Sequence, residues 1–137
     1  MQTPVDMTNY LKSLLNQNNQ LKELLDSYDT SFTTLPTIVI KPSCGARVGA
    51  LTYGHSLIEV SSWMLEDTNS LVSTLRHEFA HVVKSKCRLN GPPHGSNWIK
   101  CLQAVSPTTW QIDKHWIPTL SIEEKRLRIH PKAKRLC

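Results

Sequence analysis

The sequence predicts an α+β fold, in which an N-terminal helix, a small antiparallel sheet of about three strands and two further helices form one domain. Three observations predict it: leucines at helical spacing near the N-terminus, three short β-branched or aromatic runs, and two helical patterns joined by a Gly-Pro-Pro turn. A length of 137 residues, with 39 % hydrophobic residues, suffices for one domain with a modest core. We expect this domain over residues 1–112, with a basic C-terminal extension over residues 113–137.

The N-terminal helix is predicted from Thr8 to Tyr28, with Thr8 as its N-cap. Its apolar residues recur at the spacing of one helix face. They are Leu11, Leu14, Leu15, Leu21, Leu24, Leu25 and Tyr28. The polar stretch "NQNN" interrupts this pattern, so we expect the helix to be loosened there.

Three short runs predict the strands. The first is Thr37–Ile40, a β-branched run that follows Pro36 and ends before "KPSCG". The other two, "ALTYG" from Ala50 and "SLIEVSSWML" from Ser56, are separated by a short Gly-His turn. This arrangement predicts an antiparallel hairpin that leads into the next helix.

The helix after the hairpin is predicted to have two distinct faces. It should begin near Asn69 or Ser70 and end by Gly91, which suits a C-terminal cap. The apolar stripe consists of Leu71, Leu75, Phe79 and Val82, whereas Thr74, His77, Glu78, His81 and Ser85 share another face. A last helix should open near His94, and Trp98 is interpreted as its core anchor. The apolar residues of this last helix are Trp98, Cys101, Leu102 and Val105.

The stretch "HEFAH" has the residue types of a catalytic zinc site. His77 and His81 are about one helical turn apart, so they present two imidazoles on one face. Glu78 lies on nearly the same side, where its carboxylate can take a proton from water activated by the metal. Two histidines that merely face water or the core are the weaker interpretation, because a core has no use for an ionisable glutamate among them.

A catalytic zinc needs a third protein ligand and keeps its fourth position open. We assign His94, because the Gly-Pro-Pro turn before it lets the last helix fold back over the first. Cys87 occupies the third position of another zinc-protease spacing, but a continuing helix would aim it away. The nearest acidic candidates beyond the motif are distant in sequence: Asp113, Glu123 and Glu124.

The pattern "HEFAH", twelve residues, then "HGSNW" resembles the SprT-like zinc metalloproteases, a family that includes bacterial SprT and the Spartan DNA-protein crosslink proteases. The upstream "GALTYGHSLIEVSSWML" is similar to the hairpin of that family, so the resemblance covers Leu35 to Val105. It implies a minimal zincin-like fold, Zn²⁺ bound by His77, His81 and His94, and Glu78 as the catalytic base. Many bacterial members carry a cysteine-rich zinc ribbon after this part, and Cys137 has no second cysteine near it. The chain therefore resembles a compact member without a complete ribbon.

The compartment is predicted from the cysteines and from the N-terminus. Four separated cysteines without a C-x-x-C pair are typical of reduced thiols in a cytosol. The first ten residues show no basic start and no apolar run, and no stretch approaches the ~18 apolar residues of a membrane span. We expect a soluble protein with no membrane partner, in the cytoplasm of a bacterium or of an infected host cell.

The formal net charge of +5 is concentrated at the C-terminal end, where residues 113–137 hold seven basic and three acidic side chains. The basic residues after Glu124 are Lys125, Arg126, Arg128, Lys132, Lys134 and Arg135. They suit the phosphate backbone of single-stranded or double-stranded DNA, and they equally suit a solvated tail.

The motif and the resemblance predict a zinc-dependent endopeptidase that cleaves a protein or peptide, with DNA-associated proteins as one compatible substrate class. Tyr53 and His55 are candidates for a hydrogen bond to the developing oxyanion. An extended substrate is expected to pair with an edge strand near Leu57 and Ile58. The competing hypothesis is a zinc-stabilised protein that binds nucleic acid or a partner without general protease activity, and Glu78 argues against it.

Overall fold

The computed structural model describes residues 3–45 and 48–106, and within them the α+β class is confirmed. The helices are α1 (Pro4–Gln17), α2 (Asn19–Ser27), α3 (Thr68–Lys86) and α4 (Ser96–Val105). The strands are β1 (Thr37–Lys41), β2 (Ala50–Tyr53) and β3 (Leu57–Ser61), and a short 3-10 helix over Ser62–Glu66 leads to α3. The predicted extension over residues 113–137 lies outside the described residues.

The N-terminal helix begins earlier than predicted, because Thr3 and Asp6 form a capping box. The backbone N–H of Asp6 donates to Thr3 Oγ1 at 3.1 Å, and the N–H of Thr3 donates to Asp6 Oδ2 at 3.3 Å. Pro4 takes the first helical position, where its missing N–H has no cost. Thr8 lies inside the helix and donates its hydroxyl to the Pro4 carbonyl at 2.9 Å. The prediction of Thr8 as N-cap is therefore wrong.

Asn18 divides the predicted single helix into two. Its backbone is extended (φ −116°, ψ 101°), and its side-chain oxygen caps α2 by accepting the Leu21 N–H at 3.2 Å. Its amide nitrogen donates to the carbonyls of Ala104 at 2.5 Å and Ser106 at 3.2 Å, at the end of α4. The buried Asn18 thus ties the N-terminal helices to the last helix, and the predicted loosening at "NQNN" is a complete break.

The sheet has the strand order β1-β3-β2. β2 and β3 pair antiparallel, which confirms the hairpin, whereas β1 pairs with β3 in parallel. The sheet is mixed rather than wholly antiparallel because the chain reverses twice after β1 and inserts β3 between the other two strands. The prediction of an edge strand at Leu57 and Ile58 is therefore wrong: both sides of β3 are paired, and the Ile58 side chain is fully buried.

α3 packs against α4 and against β2, and it supplies much of the core. The predicted apolar stripe is confirmed, since Leu71, Leu75, Phe79 and Val82 are fully buried. The helix begins at Thr68, slightly earlier than predicted, because Asp67 Oδ1 accepts the Asn69 N–H at 3.0 Å.

The end of α3 is a Schellman motif built on Arg88, which has the left-handed φ of +57°. The N–H of Arg88 donates to the Ser85 carbonyl at 3.0 Å, and the N–H of Leu89 donates to the Lys84 carbonyl at 3.1 Å. Gly91, the predicted cap, lies in the turn beyond the helix with φ +112°. Across residues 3–45 and 48–106, no helix combines the length and apolar character that crossing a membrane requires.

Candidate metal centre

Three histidines converge between α3 and the turn before α4. His77 and His81 lie on α3, and His94 lies two residues before α4 rather than within it. The Nε2 atom of His94 is 3.2 Å from Nε2 of His77 and 3.2 Å from Nε2 of His81. Nitrogen ligands of a tetrahedral zinc at ~2.0 Å are separated by about 3.3 Å. Both separations are close to this value, and the ligand atoms of all three histidines lie within 4.8 Å of one another, so the group could hold a metal ion.

Among the described residues, the group of possible metal ligands consists of three histidines. Within residues 3–45 and 48–106, no fourth histidine, cysteine or carboxylate joins the group. Three protein ligands are the number found at catalytic zinc sites, which leave a position for water or substrate. Cys87 is buried in the hydrophobic core and is not part of the group. The acidic candidates for the third ligand, Asp113, Glu123 and Glu124, lie outside the described residues.

Trp98 packs against all three imidazole rings. Its ring centroid is 4.8 Å from that of His77, 5.5 Å from that of His81 and 4.7 Å from that of His94. Its indole Nε1 donates to the His77 backbone carbonyl at 3.4 Å, and the side chain is fully buried. The predicted core anchor is confirmed. It also forms one wall of the histidine cluster, where it excludes water and restricts rotation of the rings.

Glu78 is fully buried and follows the first histidine of the cluster. Its Oε2 accepts a hydrogen bond from Thr52 Oγ1 at 2.5 Å, while Oε1 has no hydrogen-bond partner in the described part of the chain. Burial raises the pKa of Glu78 to about 8, and the hydrogen bond from Thr52 opposes this rise. Thr52 thus fixes the orientation of the buried carboxyl group through one of its two oxygens.

Thr52 is a site residue that the sequence patterns did not reveal. Its position on β2 brings it opposite the fully buried Ile58, and Ala50 on the same face is opposite the buried Val60. The signal in the sequence is weak: a hydroxyl on the core-facing side of a strand needs a polar partner. Here that partner is Glu78, which the sequence could not place beside it.

A groove of about 470 Å³ opens beside the histidine cluster. It is lined by Thr52, Gly54, His81, Lys84, Ser85, Leu89 and Pro93. His55, a predicted oxyanion contact, is exposed and touches this lining through Ser85, since its Nδ1 lies 3.2 Å from Ser85 Oγ. The groove therefore connects the hairpin turn with the face of α3 that carries the two histidines.

Tyr53 lies on the opposite face of β2 from Thr52. Consecutive side chains of a strand point to opposite faces, so Tyr53 points away from the face that carries Thr52. The hydrogen bond between Tyr53 and Glu59 raises the pKa of the Tyr53 phenol, and Glu59 also pairs with Lys41 at 3.1 Å. The position of Tyr53 gives no support to the predicted oxyanion contact, which stays a prediction. The predicted nucleic-acid contacts lie outside the described residues: Lys125, Arg126, Arg128, Lys132, Lys134 and Arg135.

Comparison with known families gives a match to the family described as the SprT-like family, over residues 18–121. This range is more than half of the chain and includes α2, the sheet, α3 and α4. It also includes the three histidines and Glu78. No curated protein and no solved structure matches the chain. The family match and the site geometry therefore involve the same residues.

Proposed function

The chain belongs to the SprT-like family, and from this membership we propose that it is a zinc-dependent endopeptidase with Glu78 as its general base. The family is related to metalloproteases, and three histidines of this chain could hold a metal ion. The proposal is supported by two observations: His94 Nε2 lies 3.2 Å from Nε2 of His77 and of His81, and the fully buried Glu78 follows His77 on the same helix. Zinc is the proposed metal, because three imidazoles with an open fourth position suit its preferences.

Zinc held by His77, His81 and His94 would polarise the peptide carbonyl and acidify the attacking water. Glu78 accepts one proton from that water while the water oxygen bonds to the carbonyl carbon. Glu78 then passes the proton to the amine nitrogen as the C–N bond breaks. In the metal-free protein, burial raises the pKa of Glu78, which favours keeping the proton once the carboxyl has received it. Thr52 holds one carboxyl oxygen and keeps the group oriented.

The proposed substrate is an extended polypeptide that pairs with β2 instead of the β3 pairing expected from the sequence. In the part of the chain that the structure describes, β2 pairs with β3 on one side and has no strand on the other, and β2 packs against α3. Thr52 contacts Glu78 from this strand, so a chain added to β2 would pass close to the carboxyl. The adjacent groove of about 470 Å³ could receive a substrate side chain.

We propose DNA-associated proteins as the substrate class, because the basic C-terminal end would bind the DNA that carries them. This end contributes most of the net charge of +5. Basic side chains bind a phosphate backbone without reading its sequence, and the binding weakens steeply as salt increases. The proposal therefore expects stimulation of cleavage by DNA at low salt and its loss at higher salt.

A zinc-stabilised protein that binds nucleic acid or a partner without protease activity is the second candidate, and it has less support. A structural zinc normally takes four protein ligands, whereas three histidines form the group in the described residues. A buried Glu78 would also reduce stability without serving a purpose in such a protein.

A time course of protein cleavage by zinc-loaded protein tests the proposal, with and without single-stranded DNA. The matched control is Glu78→Gln, shown beforehand to retain zinc. We expect cleavage by the wild type and none by Glu78→Gln, and DNA stimulation would support DNA-associated substrates. Equal cleavage by both proteins would reject Glu78 as the base. No cleavage by zinc-loaded wild type on any substrate would favour the binding protein.

A further inference from the structure

The connection between α3 and α4, residues 87–95, brings the third histidine to the other two. After the Schellman turn at Arg88 it has no regular secondary structure, and Gly91, Pro92 and Pro93 are exposed. A metal ligand on such a connection needs other contacts to keep it in place, because loops are generally more mobile than the elements they join.

Two side chains, one from each helix, hold this connection by its carbonyl groups. The ammonium of Lys84 on α3 donates to the Gly91 carbonyl at 3.0 Å and to the Pro92 carbonyl at 2.9 Å. The side-chain amide of Asn97 on α4 donates to the Asn90 carbonyl at 2.7 Å. Three consecutive carbonyls are thus bound by donors that belong to the helices.

The Lys84 contact lies close to His94 in the chain. Pro92 and Pro93 each have a restricted φ, so few backbone dihedrals separate the bound Pro92 carbonyl from His94. The N–H of Gly95 closes the turn around His94 by donating to the same carbonyl at 3.0 Å. Lys84 lies three residues after His81 on α3. Its ammonium therefore holds the turn in a fixed position relative to the helix that carries the other two histidines.

We propose that Lys84 is a positioning residue for the metal site, which sets His94 at the distance that allows all three histidines to bind one ion. The proposal rests on metal binding by the three histidines, which is part of the proposed function. The charge of Lys84 matters here because an ammonium binds two carbonyls at once from one position, which an aliphatic side chain cannot do.

Zinc affinity, measured by competition with a chromophoric chelator, tests this proposal without using protease activity. Lys84→Met keeps the aliphatic stem and removes the donors, and we expect it to weaken zinc binding about 10- to 100-fold, as loss of groups that orient metal ligands commonly does. Lys84→Arg keeps a cation that can reach both carbonyls and should restore most of the affinity. The matched control is Lys22→Met, which removes a lysine that donates to the Asn16 carbonyl at 3.2 Å, far from the site in sequence.

A double-mutant cycle with His94→Ala separates positioning from a general loss of structure. If Lys84 acts through His94, Lys84→Met should change zinc affinity little once His94 is absent. An equal loss in both backgrounds would overturn the proposal, as would an unchanged affinity in Lys84→Met. If Lys84→Met does not fold, Lys84→Leu, which likewise has no donor group, provides the same comparison. Failure of the wild type itself to bind zinc would instead reject the proposed function.

Lys84 also lines the groove, so a direct role in binding substrate predicts a different result. In that case Lys84→Met would raise KM while zinc affinity remained at the wild-type value. This outcome would overturn the positioning role and leave the zinc-dependent mechanism intact.

Discussion

Thr52 Oγ1 lies 2.5 Å from Glu78 Oε2, and this contact joins the edge strand of the sheet to the helix that carries two of the histidines. The same hydroxyl lies 3.4 Å from the Glu78 backbone carbonyl. It has one proton to donate, and the shorter distance assigns that proton to the carboxyl group. Thr52 therefore orients the Glu78 side chain and favours its ionised form.

Thr52→Val should raise the pKa of Glu78 further, because it removes the hydrogen bond that lowers it. Less of the base is then ionised at neutral pH, so the acidic limb of kcat/KM should move to higher pH and activity at pH 7 should fall roughly tenfold. The pH profile of kcat/KM measures this shift. Thr52→Ser keeps the hydroxyl and should behave like the wild type. An unchanged profile in Thr52→Val would contradict this role.

The metal-free protein should lose stability relative to Glu78→Gln as the pH rises. Folding raises the pKa of Glu78 from 4.5 to about 8, so the folded state binds more protons than the unfolded state between these values. The stabilising contribution is complete below the unfolded pKa and is lost as the pH rises through the folded pKa. The free energy of unfolding should fall by at most about 1.4 kcal/mol per pH unit from this group.

Urea unfolding of both metal-free proteins at several pH values measures this difference. The comparison is directed at Glu78, because Glu78→Gln replaces the carboxyl group with an amide that does not ionise. A stability difference that stays constant across the window between the two pKa values would show that Glu78 does not titrate as its burial implies.

Zinc should raise the unfolding temperature of the wild type, because a ligand that binds only the folded state stabilises it by about 2.7 kcal/mol at 100 times its Kd. His94→Ala should lose most of this stabilisation, and a chelator should reverse it in the wild type. The control is His55→Ala, which removes an exposed histidine outside the cluster and should keep the full effect. Full stabilisation of His94→Ala would exclude His94 as a ligand.

Trp98→Ala should reduce the free energy of unfolding by about 3–5 kcal/mol, the usual cost of truncating a buried aromatic residue. It should also weaken zinc binding, because the indole packs against all three imidazole rings. Leu11→Ala, in the fully buried part of α1, is the control: it should reduce stability and leave the zinc affinity of the folded protein unchanged. Urea unfolding and chelator competition give the two quantities. Equal zinc affinity in both variants would reject a role for Trp98 in the site.

The first part of the candidate site was predictable because its geometry is local. His77, Glu78 and His81 share a helix, and the period of 3.6 residues places them on neighbouring faces whatever the rest of the chain does. The hairpin was predictable for the same reason, since its two strands are adjacent in sequence. His94 was reached through the turn chemistry of "NGPPHG" together with the family spacing.

Other parts of the site and fold were not predictable from short stretches of the sequence. Thr52 and Glu78 are 26 residues apart, and Trp98 and the His77 carbonyl are 21 apart. Asn18 breaks the N-terminal helix while bonding to Ala104, 86 residues away, so a local pattern showed only a weakened helix. The alternation of apolar and polar residues in β3 likewise could not show which side of this strand pairs with β1.

The sequence by itself determined the helices, the hairpin and the types of residue that could bind a metal, because these follow from spacing along a single element. Only the tertiary structure decided that β3 is central, that Thr52 binds the buried carboxyl, that Trp98 packs beneath the histidines and that Lys84 holds the turn before His94. Each of these contacts joins separate elements or the turn between them, and its formation depends on how the whole core packs rather than on the preferences of the residues involved.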